Sequence, residues 1–97
     1  MFARVTTTKG APDKVDESIR HVREETLPAA KKLGGFKGMY LLVDRKTGND
    51  LAITLWETEA DLKASTEAAN RLRAQATQAA GATQPPKVDI YEIAIQL

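Results

Sequence analysis

The chain has 97 residues, with 14 Lys and Arg against 13 Asp and Glu, a formal charge of +1 and no cysteine. That length suits a single domain over residues 1–97 with a modest core, so a second subunit would add stability. Interspersed charge leaves no footprint for nucleic acid or an anionic membrane, no stretch approaches the roughly 20 apolar residues needed to span a bilayer, and the missing cysteines exclude disulfides, thiol nucleophiles and thiolate metal sites.

Phe2 to Thr8 is strand-like from its first residue, with Ala3, Val5 and Thr7 on one face and Phe2, Arg4, Thr6 and Thr8 on the other. This leaves no room for a signal peptide, and a soluble cytoplasmic protein is expected. Lys9-Gly10 ends the strand. Pro12 then sits where a first helical turn tolerates it, followed by Asp13, Asp16 and Glu17 at the positive helix start. Val15, Ile19, Val22, Thr26, Ala29 and Leu33 form one apolar stripe of a helix. Pro28 should kink that helix or end it near Leu27, and Gly34-Gly35 stops it.

Phe36–Val43 and Leu51–Trp56 are runs too short and too β-branched or aromatic for helices, and Asp44–Asp50 between them carries turn chemistry. They read as a β-hairpin. In its second strand Leu51, Ile53 and Leu55 point one way and Ala52, Thr54 and Trp56 the other, so both faces call for burial. Thr58 should cap a second helix, with Asp61 three residues on. Leu62, Ser65, Ala69, Leu72, Ala76 and Ala79 follow helical spacing to about Ala80. Its alanine-rich stripe predicts a shallow buried face. Gly81–Lys87 with Pro85-Pro86 is a loop, and Val88–Leu97 a last strand.

The order is β-α-β-β-α-β, an α+β, ferredoxin-like fold with a four-stranded antiparallel sheet. Two helices cover one face of that sheet. The other face also carries large apolar residues, and the economical partner for it is the same face of a second copy. A homodimer through the sheet face is therefore expected.

Leu33-Gly34-Gly35-Phe36-Lys37-Gly38-Met39-Tyr40, and Leu55-Trp56-Glu57-Thr58-Glu59-Ala60-Asp61-Leu62 running from strand into helix, resemble the antibiotic biosynthesis monooxygenase domain of the dimeric α+β barrel superfamily. The resemblance spans almost the whole chain. It implies a dimeric α+β barrel with a pocket in each subunit between helices and sheet. Some members oxidise quinols or aromatic polyketides with O₂ and neither metal nor flavin. A haem-degrading branch uses an asparagine on the first strand, and a tryptophan and a histidine on the helix after the third. Aligned on Lys9-Gly10 and Trp56, this chain has Ala3, Ser65 and Gln75 there, so haem degradation is not expected.

Two function classes follow. One is a cofactor-independent monooxygenase acting on a small phenol, quinol or aromatic polyketide, which supplies its own electrons to O₂ once deprotonated. The other is a non-catalytic homodimer, either a small-molecule binder or an accessory module. The pocket positions expected are Trp56, Ala52, Thr54, Ala3 and Val5, with Trp56, the only tryptophan, either filling the core or stacking on a planar ligand. His21, the only histidine, lies four residues from both Glu17 and Glu25. It is either a surface helix residue among carboxylates or the base that takes a phenolic proton. One histidine without cysteine makes no zinc site, and no metal is expected. The Walker spacing, Gly-x-Ser-x-Gly and Gly-x-Gly-x-x-Gly are all missing.

Overall fold

The first strand lies inside the sheet, paired on both of its edges. In a computed structural model that describes residues 1–97, β1 (Phe2–Lys9) pairs antiparallel with β3 (Asn49–Trp56) on one side and β4 (Lys87–Glu92) on the other. β2 (Phe36–Val43) completes the order β2-β3-β1-β4. The register runs from Phe2 opposite Trp56 to Lys9 opposite Asn49, and a bulge at Lys37 shifts β2 by one residue against β3. Because directly paired residues share a face, Arg4, Thr6 and Thr8 lie with Asp50, Ala52, Thr54 and Trp56, and with Met39 and Leu41. Ala3, Val5 and Thr7 share the opposite face with Leu51, Ile53, Leu55, Tyr40 and Leu42.

The helices cover only the first of these faces. After a short turn at Pro12–Lys14, α1 (Val15–His21) runs into a single wide π turn at Val22–Thr26 and then α2 (Leu27–Ala30). Pro28 sits in the first turn of α2. Its missing N–H and its ring are accommodated by widening the turn before it rather than by ending the helix. The wider turn also advances the inward stripe by four residues at each step, so Ser18, Val22, Thr26 and Ala30 face the sheet. Ile19 and Ala29, expected on that stripe, are only half-buried.

The second helical segment is two helices, α3 (Glu59–Ala64) and α4 (Thr66–Ala79). Thr58 caps the first as expected, its Oγ1 accepting from the Asp61 N–H at 3.0 Å. The break at Ser65 has a cause in β1. Arg4 donates to the Leu62 carbonyl at 2.9 Å and to Ser65 Oγ at 3.1 Å, while Ser65 Oγ itself donates to Leu62 O at 2.6 Å. A side chain of the sheet thus takes up a carbonyl at the end of α3, and the next helix starts in a new direction.

Between the strands of the hairpin, Gly48 has φ +81°, and a Cβ there would run into the backbone of Ala11 and Pro12. That close approach holds the hairpin loop against the start of the first helical segment. The last strand ends at Glu92, shorter than the expected Leu97. Ile93 keeps one backbone bond, to Met1 O at 2.9 Å, and Ile95 is 85% exposed. Only 13 of 97 residues are buried, and Trp56 and Leu62 are the only large side chains fully enclosed.

Candidate functional site

Small side chains under the helices leave a hollow. Ala30, Ala52, Ala69 and Ala76 line it from α2, β3 and α4, where larger residues would have closed the gap between helix and sheet. The resulting hollow opens to solvent and offers about 80 Å³ of space that water can reach, and ten of its 19 lining residues are apolar. The others are five threonines, Ser18, Arg4, Arg73 and Asp50. An apolar cavity with a few placed polar groups is the usual form of a small-molecule site.

Trp56 closes the end of the cavity where β3 finishes. It is 1% exposed, its ring meets Phe36 edge to face at 5.5 Å, and its indole N–H donates to Thr54 Oγ1 at 3.0 Å. Trp56 therefore fills the core and forms cavity wall at once. The Arg4 guanidinium stands over the same ring, 5.7 Å from its centroid.

Charge in the lining is divided between the two ends. Arg4 and Arg73 are close enough to repel. Burial first, and then the charge of Arg73, lower the Arg4 pKa, and burial lowers that of Arg73. No carboxylate lies within ion-pair distance of either. Arg73 donates from Nη1 to Asn70 Oδ1 at 2.6 Å, but its buried Nε has no partner. Thr26 Oγ1, also in the lining, is buried and unpartnered as well. Asp50 sits at the other end of β3, across from Thr8. Burial alone pushes its carboxyl up to about 6, with no arginine near enough to hold it down.

Of the expected pocket residues, Trp56, Ala52 and Thr54 line the cavity together. Ala3 and Val5 do not. The pairing of Ala3 with Leu55 and of Val5 with Ile53 turns both to the face away from the helices, which corrects their placement in the pocket. His21 is outside the lining, half-buried at the end of α1, with Nε2 shielded and unpartnered. The residues missed are Arg4, Arg73, Thr26 and Asp50. For Arg4 and Asp50 the signal was present in β1 and β3. Arg4, Thr6 and Thr8 share a face, Asp50 lies in phase with Ala52, Thr54 and Trp56, and pairing the two polar sets places them under one pair of helices. No group of three or more His, Cys, Asp or Glu side chains comes together, and no helix is long and apolar enough to cross a membrane.

Comparison with known proteins identifies the architecture. A monooxygenase from the gene ActVA-Orf6 of Streptomyces coelicolor, solved with the ligand Nanaomycin D, superposes with a TM-score of 0.80 over 99% of this chain and 89% of its own, at 16% identity. An antibiotic biosynthesis monooxygenase structure matches 98% of this chain and 100% of its own at 20% identity and a TM-score of 0.71. At such identities the likeness is one of fold. In sequence, the uncharacterized protein Rv2557 of Mycobacterium tuberculosis is 36% identical over 94 residues, covering 97% of this chain and 41% of the relative. Rv2558 of the same organism is 40% identical over 76 residues, 78% of this chain and 32% of the relative. The chain thus spans between about a third and two-fifths of the length of these relatives. No family model matches it.

Proposed function

We propose that this chain, which has the antibiotic biosynthesis monooxygenase fold, takes a small aromatic molecule into the cavity beneath its helices and oxygenates it with O₂ and no cofactor. The observation that carries this reading is the cavity itself. It combines Trp56 as an aromatic wall, apolar sides, two guanidinium groups without counter-ions and one carboxyl poised to titrate near 6. The ActVA-Orf6 protein, which shares the fold, is a monooxygenase solved in complex with the ligand Nanaomycin D.

In this reading Asp50, rather than His21, takes the proton. Its raised pKa leaves it ionised above about 6 yet basic enough to accept a phenolic proton. The electron-rich anion then reduces O₂. One oxygen atom forms a bond to substrate carbon, and the other leaves as water with the two hydrogens that an anthrone-type methylene loses as it becomes a carbonyl. The apolar walls keep bulk water from the reacting carbon.

The sheet face away from the helices supports a homodimer. Tyr40 at 59%, Leu42 at 49% and Tyr91 at 57% exposure stand there beside half-buried Leu51, Ile53 and Leu55. A contiguous apolar surface of this kind marks a protein interface, and a second copy offers the same surface in return.

The test is oxygen uptake by the purified chain with a panel of quinols and hydroxylated anthrones. Uptake is expected to rise with pH as Asp50 ionises, and Asp50→Asn should lower it by about 10²-fold or more, the usual scale of a lost general base. Ligand binding with no uptake from any member of the panel would overturn the enzyme in favour of the non-catalytic binding module.

A further inference from the structure

One end of the cavity holds more positive charge than the chain can balance. Arg4 is 5% exposed and Arg73 has a buried Nε with no acceptor, yet neither meets a carboxylate. Arg4 is partly committed, with its Nη atoms engaged at the break between α3 and α4. Arg73 is not, apart from the single bond to Asn70. Burying one cation without a counter-ion costs free energy, and burying two that repel each other costs more. The only carboxyl in the lining, Asp50, is at the far end and electrostatically separate from both. A phenolate formed briefly during turnover would not offset that cost in the resting pocket.

We infer that the aromatic molecule this cavity takes carries a permanent acidic group, a carboxylate, and that Arg73, backed by Arg4, receives it while the ring lies toward Trp56. The inference rests on the cavity being the ligand pocket proposed above. A carboxylate accepts two N–H bonds from one guanidinium in a fixed plane, which is the partner the free Nε side of Arg73 lacks. Thr26 Oγ1, buried without a partner in the same lining, supplies a further donor. The acid would fix which way round the ring enters, and so which carbon meets O₂. Arg73 is then a positioning and specificity residue rather than a participant in the oxygen step.

Calorimetric titration of the unmodified chain with 2-naphthol, 6-hydroxy-2-naphthoate and 2-naphthoate tests this, because the first two differ only in the carboxylate. The hydroxynaphthoate is expected to bind at least about ten-fold more tightly than the naphthol, the scale of a charge-assisted bidentate pair. That advantage should shrink as salt is added. Arg73→Gln should bring the ratio near one while leaving the naphthol's Kd in place, and Arg73→Lys should retain part of it. Naphthol binding as tightly as its carboxylate, or a ratio unmoved by Arg73→Gln, overturns the inference and leaves the aromatic pocket standing. If none of the three binds, the inference falls together with the pocket reading. The wild-type ratio decides the matter even if a variant fails to fold.

Discussion

The two faces of the sheet divide polarity unevenly, with the charged and hydroxyl side chains under the helices and large apolar ones on the uncovered side. The face beneath the helices mixes Arg4, Thr6, Thr8, Asp50 and Thr54 with Met39, Leu41, Ala52 and Trp56, while the face without helices carries Val5, Leu51, Ile53, Leu55, Tyr40 and Leu42. If burial within one chain were the main demand, the apolar set would lie under the helices, because each fully buried large side chain contributes about 1.5–3 kcal/mol. This division separates two tasks. The covered face builds a chemically furnished hollow at some expense to the core, and the bare face holds the apolar area that a second copy would cover.

The sharpest way to break this comparison is to place a charge at the centre of the bare face. Ile53 lies between Val5 and Tyr40 there. Ile53→Arg should convert a species of twice the chain mass into one of single mass in sedimentation equilibrium, since an unpaired buried charge costs several kcal/mol. An unaltered dimeric mass would mean that some other surface joins the copies. The covered face should answer differently. Trp56→Ala removes the largest enclosed side chain and should cost about 3–5 kcal/mol in urea unfolding, with little effect on assembly.

The smallest expected effect sharpens the contrast by pH. The folded Asp50 keeps its proton up to about 6, against 3.8 for an unperturbed carboxyl. The native state therefore binds more protons than the unfolded chain in that interval, and this group lowers stability as pH rises through it. Asp50→Asn should stabilise the protein at pH 8 by about 1 kcal/mol, discounted for the carboxyl's partial exposure, and by almost nothing near pH 4. Urea melts of both proteins at the two pH values measure the difference. A gain that is equal at both would place the effect in packing rather than in ionisation.

Most of the architecture was legible in the sequence because it depends on local chemistry. The hairpin followed from Asp44–Asp50, the cap at Thr58 from its hydroxyl, and the element order from the apolar periods. The site was only half legible. Ala52, Thr54 and Trp56 could be grouped because residues two apart on one strand share a face. Ala3 and Val5 face away from the helices, an orientation that depends on a partner strand more than forty residues away. In β1 it is Arg4, and not the apolar residues, that faces the helices. The wide turn at Val22–Thr26 had a visible cause in Pro28, but not a visible outcome, since the same proline could have ended the helix.

By itself the sequence determined the order of strands and helical segments, the hairpin, and a hairpin strand with apolar residues on both faces. These follow from side-chain period and backbone preference, which act over a few residues. Only the tertiary structure decided which face the helices cover, and hence that Arg4, Arg73 and Asp50 enclose one cavity while His21 stays outside its lining. That choice is set by strand register and helix packing, where a shift of one residue exchanges the two faces of a strand.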